Sequence, residues 1–247
     1  MQVAIDGPVA AGKGTIAKIL ADKLGFLYVD TGAMYRVAAI LSMRNNIRPS
    51  LETQDQIAQI AHEASIEYHI TPQSVTILLN GEDVSEQLRT PETNRLVPLV
   101  AALPNVRLVM VEKQQAIAAT HQDVIMEGRD ITFRVLPNAD LKVFMTADPE
   151  TRAQRRLKQQ QAAGHVQSYE EVLEDLEARD KLDLSRSVDP LQIVPDAMVV
   201  DTTEMSIDEV ADFLIAEIIR RRSPEQTATA NHPLTNRLKQ AFVAPAE

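Results

Sequence analysis

Residues 5–15 read IDGPVAAGKGT, and this stretch decides the fold. It follows the short apolar run Val3–Ile5 and leads into a helical pattern over residues 13–24 that ends at Gly25. The spacing G-x-x-x-x-G-K between a strand and a helix is typical of a phosphate-binding loop, in which backbone N–H groups and a helix N-terminus hold phosphate oxygens. We therefore predict that ATP phosphates contact this loop, whose residues are Gly7, Pro8, Val9, Ala10, Ala11, Gly12, Lys13, Gly14 and Thr15.

Two side chains of the loop have predicted roles. Lys13 can reach the β- and γ-phosphates as a point charge. Gly14 stands where Ser or Thr usually follows the lysine, so the hydroxyl expected on Mg²⁺ is displaced by one residue to Thr15, acting directly or through water. The alternative is an ordinary glycine-rich turn between a strand and a helix.

Four more apolar runs alternate with helical patterns along the chain. This alternation predicts an α/β fold with a five-stranded, mostly parallel sheet and right-handed crossovers. Asp148-Pro149 predicts a capped helix start, and Ser168…Glu171 and Ser206…Glu209 match capping boxes. The predicted strands after the first are 26–29, 124–126, 141–145 and 197–200.

The segment from about 50 to 90 interrupts the alternation. Ser65–Ile70 and Val75–Leu79 are β-branched or alternating runs, and the turn signal Asn80-Gly81 follows them. We predict a small antiparallel insert at about 38–100 within a domain of residues 1–221. A short helical lid is expected at about 150–168, and residues 222–247 are expected to form a disordered tail.

Composition excludes several classes of protein. The formal net charge of -10 makes a nucleic-acid coat or a binder of anionic membranes a poor interpretation. With no cysteine, neither disulfides nor thiolate metal sites can form. No apolar run approaches the roughly 18 residues of a membrane span. We expect a cytoplasmic monomer with no nucleic-acid or membrane partner.

Polar residues follow two of the predicted strands, where ligands of open α/β sheets bind. Thr31 and Arg36 follow the second strand; the alternative for this pair is a helix N-cap and a surface charge. Glu127 follows the third and is a candidate Mg²⁺ ligand. Arg129 offers a planar fork to a phosphate, and Asp130 can accept from an amino group such as cytosine N4. The alternative for these two is a structural Arg–Asp pair.

Two later helices carry arginines. Arg152, Arg155 and Arg156 precede Gly164-His165, a pattern that suits a mobile lid over phosphates but also fits a solvated charged face. In the next helix, a stripe that begins apolar ends charged, which indicates that this end borders a cleft. Exposed helical ion pairs contribute only about 0.3–0.5 kcal/mol, so stability alone is a weak reason for the pattern, although a structural ion-pair network is the alternative. The stripe consists of Val172, Leu176, Arg179, Asp183 and Arg186.

Together these residues resemble bacterial cytidylate kinases over about residues 2–221. DTGAMYR, combined with GRD and RD…D..R, is much more specific than the phosphate loop. In places the chain departs from the family: Pro98 stands where Ser often touches the base, and Ile131-Thr132-Phe133 replaces Ile/Met-Gly-Thr. The matching pieces are IDGPVAAGKGT (5–15), DTGAMYR (30–36), NGEDVS (80–85), LRT (88–90), PNVR (104–107), EGRD (127–130), RAQRR (152–156) and ARDKLDLSR (178–186).

The resemblance implies a doubly wound P-loop kinase core with a nucleotide-binding insert and a short lid. It also implies transfer of a phosphoryl group from MgATP to CMP, with dCMP as a second acceptor. It places Thr31, Arg36, Arg129 and Arg186 at the ribose or phosphate of the acceptor. It places Arg107 and Asp130 at the cytosine, and Arg179 and Asp183 at the sugar. Arg155 and Arg156 resemble arginines that clamp the transferring phosphoryl group. The predicted catalytic set is therefore Lys13, Arg129, Arg155, Arg156 and Arg186.

Two rival functions stay open at this point. One is a nucleoside monophosphate kinase that acts on UMP or a wider range of bases. The other is a non-catalytic nucleotide sensor built on a phosphate loop. Phosphoryl transfer depends on positioning and charge neutralisation, and the acceptor oxygen is already anionic, so we expect no essential general base.

Overall fold

The short apolar runs of the sequence form a five-stranded parallel sheet. The computed structural model describes residues 1–70, 75–162, 164 and 166–222. Strand β1 lies at the centre, with Val3 beside Ile125 on one neighbour and beside Leu141 on the other. The strand order is β2-β6-β1-β7-β8. The strands of this sheet are β1 (Gln2–Asp6), β2 (Leu27–Asp30), β6 (Val124–Gly128), β7 (Leu141–Thr146) and β8 (Met198–Asp201).

A second, antiparallel sheet follows in the middle of the chain, in the order β3-β4-β5, with Ile66 opposite Leu79. Its strands are β3 (Ile66–Ile70), β4 (Val75–Leu79) and β5 (Glu82–Asp83). The helices are α1 (Lys13–Leu24), α2 (Thr31–Arg44), α3 (Gln54–Glu63), α4 (Pro91–Ala101), α5 (Pro104–Ala119), α6 (Pro149–Ala162), α7 (Tyr169–Leu184) and α8 (Ile207–Arg222). A 3₁₀ turn spans Gln87–Arg89 and a π-helical turn spans Ile131–Val135.

Residue contacts divide the chain into two compact units. The core unit consists of Met1–Tyr28 and the described residues from Gln122 onward. In it, α1 packs against β6 and α8, and α6 packs against α7. Strand β7 is buried along its whole length, as expected of a strand inside a parallel sheet.

The inserted unit spans Val29–His121 and carries the antiparallel sheet. Its core is apolar and comes mainly from α2, α3, α4 and α5, with fully buried side chains such as Met34, Ile57, Val100 and Met110. The unit is wider than the insert predicted at about 38–100, because α2 and α5 pack with the helices between them.

The structure confirms the predicted fold class and corrects several boundaries. Ser168 and Glu171 form the reciprocal capping box of α7, and Ser206 and Glu209 bond in the same way before α8. Helix α2 ends at Arg44 rather than residue 46, and α7 ends at Leu184, so Arg186 lies beyond that helix. Helices α3 and α4 had not been predicted.

Parts of two predictions lie outside the described residues. His165 of the predicted lid and residues 223–247 of the predicted tail are among them. Helix α6 begins after Asp148, whose carboxylate accepts from the N–H of Thr151, so the predicted cap is present. Within the residues that the structure describes, no helix is long and apolar enough to cross a membrane.

Candidate active site

The phosphate loop follows β1 and depends on a glycine at its first position. Gly7 has φ of 151°, and a Cβ there would lie 2.0 Å from the carbonyl oxygen of Met145. Any side chain would therefore push the loop away from β7. At the other end Gly12 adopts the left-handed region, with φ of 91°, and leads directly into α1. This backbone places the first turn of a helix beside the loop, as an anion site requires.

Lys13 is the buried cation of this loop, with 4% of its surface exposed. Its Nζ donates a hydrogen bond to the carbonyl oxygen of Pro8 at 2.8 Å. Burial, and secondly the charge of Arg129, lower the pKa of Lys13 to about 7. The carboxylates of Glu127, Asp6 and Asp183 act in the opposite direction. Lys13 therefore stands among charged groups that come from β1, β6 and α7.

The surroundings of Gly14 favour a glycine at this position. A Cβ at this position would lie 3.3 Å from Oε1 of Glu127 and 3.4 Å from the hydroxyl of Tyr28. A Cβ here would therefore be in tight contact with the Glu127 carboxylate, and glycine leaves room for that group. Thr15 is exposed on the first turn of α1.

The residues present fit a magnesium ion at this place. Mg²⁺ prefers oxygen ligands and keeps several waters, so one or two protein oxygens beside nucleotide phosphates suffice. Glu127 offers a carboxylate close to Gly14, and Thr15 offers an exposed hydroxyl one residue further on. These are the two oxygen donors that the sequence predicted.

Asp183 contacts two arginines in the core unit. Its Oδ2 accepts from Nε of Arg129 at 2.8 Å, and Nε of Arg179 lies 3.5 Å from its Oδ1. Burial alone would raise the pKa of Asp183, but the charges of Arg129, Arg179 and Arg186 hold that pKa below its ordinary value. The structure thus brings three of the predicted arginines together around the buried carboxylate of Asp183, which was also predicted.

Asp130 and Asp6 form a second buried acidic group near Lys13. Asp130 is 3% exposed and precedes the π-helical turn. Asp6 is fully buried and accepts hydrogen bonds from the N–H of Ile131 and from the N–H and hydroxyl of Thr132. Asp6 and Thr132 had not been predicted as site residues. The sequence did contain a signal for Asp6, because this acidic residue ends a buried strand directly before the phosphate loop.

The arginines of α6 do not form one solvated face. Arg152 is buried; its Nη1 donates to Asp180 Oδ2 at 2.6 Å and to the carbonyl oxygen of Val9 in the phosphate loop at 3.2 Å. Arg152 and Asp180 both line a pocket of about 270 Å³ beside Pro8. Arg152 and Asp180 had not been predicted as a pair, because 28 positions separate them in sequence.

Arg155 and Arg156, the predicted clamp, have different surroundings. Arg155 donates to the hydroxyl and the carbonyl oxygen of Thr202, at 2.9 and 2.6 Å. The Thr202 hydroxyl also lies 3.0 Å from the carbonyl oxygen of Thr146. Arg156 donates to Oε1 of Gln159 on its own helix. The structure therefore holds Arg155 at the end of β8, while Arg156 bonds on the exposed side of α6.

In the inserted unit, the start of α2 positions Thr31 and Arg36. Asp30 caps the helix by accepting from the N–H of Ala33, so the alternative that Thr31 is the N-cap is wrong. Thr31 is buried as the first helical residue. A Cβ at Gly32 would lie 3.1 Å from both the Arg36 guanidinium and the Asp30 carboxylate, so glycine leaves room for both groups.

Arg107 is the buried cation of the inserted unit, with 1% exposed surface. Its Nη1 donates to the carbonyl oxygen of Ala101 at 3.2 Å, and its guanidinium lies 5.6 Å from the ring centre of Tyr35. Pro98 lies inside α4, three residues before Ala101. A proline has no N–H, so α4 lacks one helical hydrogen bond here.

A parallel sheet with a phosphate loop after its central first strand, a buried loop lysine and arginines at neighbouring strand ends defines a P-loop kinase. The family model for cytidylate kinase matches residues 3–220. The chain belongs to the cytidylate kinase family.

Two relatives agree with this assignment, and a solved structure has a similar fold. The cytidylate kinase of Carboxydothermus hydrogenoformans is 45% identical over 223 residues, which are 90% of this chain and 99% of that protein. The cytidylate kinase of Bacillus subtilis is 40% identical, covering 90% and 98%. The fold is also similar to that of an uncharacterized protein from Eubacterium ventriosum, at a TM-score of 0.52 and 12% identity, covering 89% of this chain and 98% of that one.

Proposed function

We propose that this chain transfers the γ-phosphoryl group of ATP to CMP, giving ADP and CDP, and that dCMP is a second acceptor. The observation that carries the proposal is the group of Lys13, Arg129 and Arg179 around the buried carboxylate of Asp183, beside the phosphate loop. A site that must bring two anionic nucleotides together needs such concentrated positive charge, because their phosphates repel each other.

In this proposal each part of the core unit has one task. The phosphate-loop N–H groups and Lys13 bind the β- and γ-phosphates of ATP. To do so, Lys13 exchanges its hydrogen bond to Pro8 for phosphate oxygens. Arg129 and Arg186 bind the acceptor phosphate, and Arg179 and Asp183 orient its sugar. Because the acceptor oxygen is already anionic, positioning and charge neutralisation are sufficient and no general base is needed.

Thr15 and Glu127 would hold Mg²⁺, which would neutralise part of the negative charge of the nucleotide phosphates. Arg155 and Arg156 are proposed to contact the transferring phosphoryl group. For Arg155 this requires that its two hydrogen bonds to Thr202 open, because they occupy both ends of its guanidinium.

The inserted unit is proposed to supply the contacts that recognise CMP. Arg107 is assigned to the cytosine, and Thr31 and Arg36 to the ribose or phosphate. Asp130 of the core unit is assigned to the cytosine as well, since a carboxylate can accept from the N4 amino group. Burial of Arg107 at 1% exposure supports this role, because a fully buried guanidinium gives strong, directional hydrogen bonds to a ligand.

Separation of nucleotide products tests the proposed function. With ATP, Mg²⁺ and CMP we expect ADP and CDP in equal amounts, and almost no ADP when CMP is omitted. Each nucleotide is measured by ion-exchange chromatography. Tight ATP binding with no CDP would instead identify a nucleotide sensor.

A further inference from the structure

Asp6 and Thr132 form a buried hydrogen-bonded pair that the proposed chemistry does not use. Asp6 is 0% exposed and Thr132 is 1% exposed. Oδ2 of Asp6 accepts from the N–H and the hydroxyl of Thr132 at 2.8 and 2.7 Å, and Oδ1 accepts from the N–H of Ile131 at 2.9 Å. Both oxygens of one carboxylate are thus committed to a single turn of the chain.

The pair joins two parts of the site in the core unit. Asp6 is the last residue of β1 and directly precedes Gly7 of the phosphate loop. The turn it holds begins directly after Arg129 and Asp130. Within the turn, the Asp130 carbonyl oxygen accepts from Arg134 N at 2.9 Å, which leaves the first N–H groups of the turn for Asp6. The carboxylate therefore links the strand before the loop to the segment that carries Arg129.

A carboxylate is a costly way to hold a buried turn. Taking a charge out of water opposes folding, and a neutral acceptor could satisfy the same N–H groups at lower cost. The neighbouring charges are mixed, since Asp130 repels the Asp6 carboxylate and Lys13 attracts it. A rigid link between the strand and the turn accounts for this choice better than stability does, because charge-assisted hydrogen bonds are shorter and stronger than neutral ones.

The hydroxyl of Thr132 is one of three donors to the Asp6 carboxylate, and the other two are backbone N–H groups. The hydroxyl can be removed while both backbone N–H groups of the turn keep their acceptor.

We propose that Asp6 and Thr132 are positioning residues for phosphoryl transfer: their hydrogen bonds fix the turn that directly follows Arg129 and Asp130, and so hold these two residues relative to β1 and the phosphate loop. The inference rests on the proposed transfer from ATP to CMP, because its effect is expressed in the turnover of that reaction.

Thr132→Val is the most selective test, because it removes one hydroxyl and keeps the shape of the side chain. We expect kcat with CMP to fall about tenfold, since small displacements of a reacting geometry are costly, while KM for ATP changes less than twofold. Thr132→Ser restores the hydroxyl and should return kcat to within twofold of the wild type. Thr93→Val is the matched control: Thr93 is 0% exposed and donates to the Gln87 carbonyl oxygen in the inserted unit.

Asp6→Asn is the second variant. Its amide nitrogen would face an N–H donor of the turn, so we expect kcat to fall about 100-fold with the far-UV circular dichroism spectrum unchanged. If this variant does not fold, the Thr132 series decides. Wild-type kcat in Thr132→Val, together with a lowered melting temperature, would overturn the proposal and leave a purely structural link. A wild-type chain that forms no CDP would instead contradict the proposed function.

Discussion

The core unit buries charged side chains in groups that partner one another, whereas among the described residues of the inserted unit Arg107 is the one buried charged side chain in a mainly apolar core. Asp183 with its arginines and Arg152 with Asp180 are examples in the core unit. In the inserted unit, the Arg107 guanidinium donates to the carbonyl oxygen of Ala101 and lies over the ring of Tyr35. Buried charge opposes folding, so its concentration in one unit indicates where the chemistry is performed.

The two units also differ in the effects that substitutions should have. Changes in the core unit alter networks, in which the loss of one partner leaves other charges uncompensated. Changes in the inserted unit mainly alter packing and one cation. We therefore expect substitutions in the core unit to act on turnover and on pH-dependent stability, and substitutions of Arg107 to act on affinity for the acceptor.

Lys13→Ala should give the largest effect. Loss of the loop cation removes charge that stabilises the transferring phosphoryl group, and we expect kcat to fall about 10³-fold. The melting temperature should change little, because Lys13 gives up only one hydrogen bond, to Pro8, and its buried charge opposes folding. Lys23→Ala, on the exposed side of the same helix, is the matched control. Near-normal turnover of Lys13→Ala would reject the phosphate-loop assignment.

Asp183→Asn should destabilise the core unit. It removes the negative charge between Arg129, Arg179 and Arg186, and loss of one partner of a buried ion pair costs about 3–5 kcal/mol. The free energy of unfolding in urea measures this change. Glu174→Gln, an exposed position of the same helix, should be neutral. A loss below about 1 kcal/mol would show that the arginines do not depend on this carboxylate.

Asp6→Asn should reveal a pH-dependent cost of the buried carboxylate. Burial raises the pKa of Asp6 from 3.8 to about 6, so the folded protein retains a proton that the unfolded chain loses between these values. The wild type should therefore lose about 3 kcal/mol of stability from this group as pH rises from about 4 to 6, whereas the variant should not. Unfolding in urea at pH 4, 5, 6 and 7 measures the difference; parallel curves would contradict it.

Arg107→Met tests the inserted unit and should give the smallest effect. Loss of one buried cation that binds a ligand corresponds to about 1.4 kcal/mol, or tenfold in KM for CMP, with KM for ATP unchanged. Arg95→Met, an exposed arginine of α4, is the control. An equal rise in KM for ATP would remove the contrast between the two units.

Much of the fold could be predicted because it depends on local signals. The phosphate loop, the apolar strand runs and the two capping boxes each lie within a few consecutive residues. Helices α3 and α4 were missed because the segment around them was interpreted from its β-branched runs, and Pro98 inside α4 argues against a helix.

The candidate site was predictable where motif and strand end coincide, as at Arg129 and Asp130. The pairs Asp6–Thr132 and Arg152–Asp180 were not, because 126 and 28 positions separate their partners. Sequence spacing does not show which distant side chains meet in a buried core. The contact between Arg155 and Thr202 could not be predicted for the same reason, since it depends on how α6 lies against the end of β8.

Initial rates with a panel of acceptors test the central claim most directly. ADP formation is measured with CMP, dCMP, UMP, AMP and dTMP at equal concentrations, with ATP and Mg²⁺ constant. We predict the highest rate with CMP, followed by dCMP, and much lower rates with the others, because only cytosine presents an amino group at N4 to Asp130. Equal rates with CMP and UMP, or no ADP with any acceptor, would contradict the account.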